Sequence, residues 1–214
     1  GNGATNAYYS NFFGVDAGNG ALNANASNFF GKVAGYGATG ASNSNFFGVG
    51  SGYGATGASN SNFLGESAGS GSANAYNSNF FGQNAGRQST NASNSTFIGK
   101  NAGYNDLVNN TLDTDDFSIL IGNNTSTGGY SNSIAIGGSA VNTAANQFMI
   151  GSTTRPINSV FIGGNQGTAS AVSTFFFGNG AGSNAANASN SNFLGSSAGY
   201  NATDASGSNF FGPS

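Results

Sequence analysis

Residues 44–65 read SNFFGVGSGYGATGASNSNFLG. An apolar pair closed by glycine, Phe46–Phe47–Gly48, returns 17 residues later as Phe63–Leu64–Gly65. The same glycine recurs at Gly14, Gly31, Gly48, Gly65, Gly82 and Gly99, always 17 apart. The spacing then varies, through Gly122, Gly137, Gly151, Gly163 and Gly178, before two further 17-residue steps to Gly195 and Gly212. Thirteen anchors define twelve intervals.

Two further slots keep the same period. Ala17, Ala34, Ala68, Ala85 and Ala102 share one, with Ser51 in the series, and Ala24, Ala41, Ala58, Ala75 and Ala92 share another. Low-complexity disorder has no reason to hold three slots in register, whereas a stacked coil does. A helical repeat needs roughly 30 or more residues, and glycine disfavours helix interiors. The expectation is therefore an all-β, parallel β-solenoid (β-roll) of about 12 short coils, turning at Gly and Asn, which tolerate positive φ. The middle intervals carry the strand's two-residue alternation in Ile119/Ile121, Ile134/Ile136, Phe148/Ile150, Val160/Ile162 and Phe175/Phe177. On spacing the chain divides into regular repeats at 1–99, irregular repeats at 100–178 with an acidic insertion at 103–117, and regular repeats at 179–214, all read as one solenoid.

Composition narrows function. Only four basic and seven acidic residues occur, with no His or Cys. Four cations cannot neutralise a nucleic-acid backbone. Without His and Cys the common triads, thiol chemistry and zinc sites are lost, so the chain is not expected to be an enzyme. No apolar stretch approaches ~18 residues, so no membrane insertion is expected.

Neighbouring strand residues face opposite sides, so an apolar pair asks for burial on both. The expected core ladder is Phe12, Phe13, Phe29, Phe30, Phe46, Phe47, Phe63, Leu64, Phe80, Phe81, Phe97, Ile98, Ile121, Ile136, Ile150, Ile162, Phe177, Leu194 and Phe211. A thin coil has one interior, and a Phe column left in water would exceed the ~300–600 Å² patch of an ordinary monomer. Two arrangements solve this. One is an intertwined or side-by-side homotrimer, the preferred reading. The other is a wider single-chain coil in which a second sheet, built from the Ala slots, covers the second aromatic. Asn11, Asn28, Asn45, Asn62 and Asn79 share the slot before the pair, where stacked amides can bond from coil to coil as a ladder.

The segment NSIAIGGSA (132–140) resembles the head repeat of trimeric autotransporter adhesins. SNFFG and SNFLG, followed by an Ala-Gly step, resemble repeats of phage tail fibres and related bacterial surface-fibre proteins. The resemblance implies trimerisation, surface attachment and an extracellular, cell-surface or virion location. The 17-residue units are longer than the adhesin-like spacing of 14–15, which holds only for some middle intervals.

Three smaller features complete the expectation. Asp113, Asp115 and Asp116 offer hard oxygen ligands that Ca²⁺ would accept, although their spacing matches no full calcium loop and a solvated loop is the plainer reading. No other cofactor is implied. Tyr36, Tyr53, Tyr104 and Tyr200 follow the Ala-Gly step, either as sugar-stacking residues or as turn residues packed on the next coil. Thr39 and Thr56 share a slot without extending into the hydroxyl array that an ice-binding face needs. The leading expectation is a fibre segment that spaces or presents a receptor-binding region, its partners being other copies of itself and a surface glycan or protein. The alternative is a self-assembling extracellular filament or matrix protein built by end-to-end stacking.

Overall fold

Each repeat makes one circuit of a coil, and its apolar pair ends the strand. The structure is a computed structural model, and it describes residues 1–108, 117–157, 159–162 and 174–212. The described residues form thirteen strands and no helix. They are β1 (Asn11–Phe13), β2 (Asn28–Phe30), β3 (Asn45–Phe47), β4 (Asn62–Leu64), β5 (Asn79–Phe81), β6 (Thr96–Ile98), β7 (Ile119–Ile121), β8 (Ile134–Ile136), β9 (Phe148–Ile150), β10 (Ser159–Ile162), β11 (Thr174–Phe177), β12 (Asn192–Leu194) and β13 (Asn209–Phe211). The protein is an all-β parallel β-solenoid with a repeat of roughly 17 residues.

Two compact units divide the chain, Gly1–Arg155 and Pro156–Ser214. The first holds a parallel sheet running β1 to β9 in chain order, and the second holds β10 to β13 in the same manner. Register follows the sequence repeat: Asn28 pairs with Asn45, Phe29 with Phe46, Phe30 with Phe47. A change in spacing is not a break in pairing. Across residue 99, Phe97 pairs with Leu120 and Ile98 with Ile121. Across residue 178, Phe176 pairs with Phe193 and Phe177 with Leu194.

The rest of each coil is a chain of tight turns. In one coil Ala34, Tyr36 and Ala38 donate their N–H groups to the carbonyls of Gly31, Val33 and Gly35, three residues back each time. Such turns need left-handed residues, which Asn and Gly supply, among them Asn43, Asn60, Asn77 and Asn94 at φ 57°, 57°, 56° and 53°. The Ala-Gly step has a steric cause. A Cβ on Gly35 would stand 2.3 Å from Cδ2 of Phe29. The glycine that closes the strand has another: a Cβ on Gly48 would stand 2.5 Å from the carbonyl oxygen of Gly65 in the next coil.

The middle strand residue points inward. Phe29, Phe46, Phe63, Phe80 and Phe97 are fully buried. Their rings stack from coil to coil with centroids 4.7, 4.7, 4.6 and 4.8 Å apart. The column continues through Leu120, Ala135 and the half-buried Met149. In the second unit it is rebuilt by Phe176, Phe193 and Phe210. Both Ala series pack against this inner column and are buried, including Ala34, Ala41, Ala68 and Ala75. The Ala slots therefore do not cover the second aromatic, and the wider-coil arrangement is corrected: alanine's small volume brings the turns onto the first ring instead.

A polar column runs through the interior beside the rings. Ser44, Ser61 and Ser78 are fully buried. Each hydroxyl accepts the N–H of its counterpart one coil on, Ser44 from Ser61 at 3.1 Å and Ser61 from Ser78 at 3.0 Å. It also donates to an alanine carbonyl in that coil, as Ser44 does to Ala58 at 2.6 Å. Buried hydroxyls satisfied in both directions stabilise rather than cost.

Candidate functional site: the outward strand face

Among the described side chains, the residues that flank the inner column in a strand face away from it. The second residue of each described apolar pair is one of these. Phe13 and Phe211 are 73% and 72% exposed, Phe47 39% and Phe177 51%. Leu64, Ile98, Ile121 and Ile150 are exposed, and Phe30, Phe81, Ile136 and Leu194 are half-buried. These members of the expected core ladder lie outside the chain's own core, because a three-residue strand turns only its middle side chain inward. Ile162 lies at the end of β10 and its side chain is outside the description. In the irregular intervals the inward residues are Leu120, Ala135 and Met149, with isoleucines and Phe148 beside them facing out.

The outward apolar column retains order along the stack. Phe13 stacks on Phe30 at 5.8 Å and Phe30 on Phe47 at 5.0 Å. Beside it runs the amide ladder. Asn11, Asn28 and Asn45 each donate Nδ2 to the Oδ1 of the next asparagine at 2.8 Å, and Asn62 donates to Asn79 at 2.9 Å. The ladder then stops, because Thr96 occupies the slot beyond Asn79. It has relatives elsewhere on the coil, Asn84 to Asn101 at 3.1 Å and Asn101 to Asn124 at 2.9 Å, and the same slot carries Asn192 to Asn209 at 2.7 Å in the second unit.

The tyrosines pack between coils. Tyr36 stacks on Tyr53 with centroids 5.2 Å apart, and the Arg87 guanidinium lies 5.8 Å over the ring of Tyr104. Tyr200 is exposed.

Asp113, Asp115 and Asp116 lie outside the described residues. Among the described residues, no three acidic side chains gather into a metal-binding group. The described acid of the insertion, Asp106, has another role. It is 6% exposed and occupies the interior slot held by Ala21, Ala38, Ala55, Ser72 and Ser89 in earlier coils. Its carboxylate accepts the Thr127 N–H at 2.6 Å and the Thr127 hydroxyl at 2.9 Å. Thr127 belongs to a shortened coil, and Asp106 supplies acceptors to it.

On the face of β7–β9 a groove of about 410 Å³ is lined by Phe117, Asn132, Ile134, Asn146, Gln147 and Phe148. Sequence reasoning missed it. The signal was the loss of asparagine from the slot before the inner residue, where Ile119, Ile134 and Phe148 stand. Among the described residues no helix is long and apolar enough to cross a membrane.

No family model matches the chain, and no curated protein matches it.

Proposed function

We propose that this chain is a structural, non-catalytic segment of an extracellular fibre, on a cell surface or a virion, that spaces or presents a receptor-binding region. The observation that carries this reading is the repetition of one hydrogen-bonded register, with a stacked ring inside and a second apolar column outside. Repeated main-chain bonding and a stacked aromatic core suit a part that must resist bending and proteolysis. The outward column suits lateral contact between copies, with a homotrimer as the preferred assembly. The likeness of SNFFG and NSIAIGGSA to tail-fibre and adhesin repeats supports the same reading.

The test is limited proteolysis of the folded chain alongside a variant carrying Phe47→Ser and Phe81→Ser. The native protein is expected to resist proteinase K and to associate. The variant is expected to keep its β-sheet spectrum and to dissociate. Rapid digestion of the native chain, or a variant that associates as well as the native protein, overturns the reading.

A further inference from the structure

Strands β7–β9 carry apolar bulk in the outward slot that asparagine fills in β2–β5. In β2–β5 the inward residue is Phe and the slot before it is Asn. In β7–β9 the inward residues are Leu120, Ala135 and Met149, while the outward slot holds Ile119, Ile134 and Phe148. A strand that places Ala inside and two Ile outside has moved its apolar surface to where a ligand can reach it. The exposed Phe148 ring (62%) stands at one side of the groove, and Phe117, 42% exposed, contributes a second ring to its lining.

The polar side of the groove consists of amides. Asn132 accepts the Phe117 N–H at 3.0 Å and donates to Asn146 Oδ1 at 3.2 Å. Gln147 Oε1 accepts the Thr143 N–H at 2.7 Å. Among the described residues, Asn146 Nδ2 and Gln147 Nε2 donate to no protein group, so both donors remain available. Among the described residues, no charged side chain lines the groove. The volume falls within the roughly 300–1,000 Å³ of small-ligand sites. Flat rings beside unspent amide donors match a ring with one apolar C–H face and a rim of hydroxyls.

We propose that this groove is a binding site for a neutral pyranose unit of a glycan, with Phe148 against the C–H face and Asn146 and Gln147 donating to hydroxyls. The site goes beyond the spacer role, and none of Ile121, Ile136 and Ile150 lines it. The test is a printed array of neutral, sialylated and sulfated oligosaccharides, followed by calorimetric titration of the strongest neutral binder. Phe148→Ala is expected to weaken binding about tenfold. Asn146→Asp, which keeps the acceptor for Asn132 and removes the donor, is expected to weaken it similarly. Tyr9→Asn, at an aromatic that is 92% exposed and outside the groove, is expected to bind as the native protein does. Circular dichroism and particle mass recorded on the same samples separate loss of the site from loss of fold or assembly. Absence of neutral-glycan binding by the folded native protein, preference for charged glycans or for apolar peptides, or full binding by folded Phe148→Ala overturns the proposal and leaves the spacer reading to its own test.

Discussion

A Cβ built on Gly52 would stand 2.3 Å from Cδ2 of Phe46, the buried ring of its own coil. Gly54, two residues on, has a similar positive φ of 61° but nothing within 4 Å of its Cβ position. The pair separates two costs that glycine avoids. Gly54→Ala is expected to lose about 1–2 kcal/mol from the left-handed backbone alone. Gly52→Ala adds overpacking against the ring, for a total of roughly 2–5 kcal/mol. Chemical denaturation followed by circular dichroism reads the difference. Equal losses would mean that the ring yields freely.

Phe63 and Phe47 stand in neighbouring coils on opposite sides of the sheet. Phe63 is fully buried between Phe46 and Phe80, while Phe47 is 39% exposed. Phe63→Ala is expected to cost about 3–5 kcal/mol as a cavity substitution. Phe47→Ala is expected to cost well under half of that in the separated chain and to weaken association instead. Thermal unfolding paired with sedimentation distinguishes the two effects.

Ser61→Ala removes the acceptor of the buried Ser78 N–H and the donor to the Ala75 carbonyl. An unsatisfied buried group costs about 1–3 kcal/mol. Asn62→Ala, one residue later on the wet side, breaks ladder bonds at 2.8 and 2.9 Å that water can replace, at an expected cost near 0.5 kcal/mol. Hydrogen exchange at Ser78 N–H tests the first directly: faster exchange in Ser61→Ala than in Asn62→Ala is expected.

The slots at Ser61 and Asn62 also show what was readable in the chain. Across β1–β5 the 17-residue period placed the strands and their register, since each Asn and each apolar pair there meets its own counterpart. Which aromatic faced inward was harder, because Phe29 and Phe30 are chemically the same. The deciding signal lay two residues upstream. Period-two alternation puts Ser27 on the side of Phe29 and Asn28 on the side of Phe30. A slot filled by Asn in coil after coil suits a wet face, so Phe30 had to be the outward ring. In β7–β9 this marker is lost with Asn itself, and isoleucines that face out look like core. The groove beside them depends on how shortened coils bring Asn132 and Asn146 together, which spacing does not reveal.

Asp106 fastens the shortened coil by accepting two hydrogen bonds from Thr127. Asp106→Ala leaves the Thr127 N–H without this acceptor and is expected to cost roughly 1.5–3 kcal/mol. Asp16→Asn, at an exposed acid, is expected to change stability by less than about 0.5 kcal/mol. Melting temperatures of the two variants against the native protein check this, and equal midpoints would remove Asp106 from the account.

The central claim is that the outward apolar column is a contact between copies. Light scattering coupled to size exclusion measures it most directly, because the chain is only 21.1 kDa. The account predicts a discrete particle of three chain masses that persists on dilution. A clean monomer at every concentration would contradict it and leave the Phe13–Phe30–Phe47 column as solvent-facing surface.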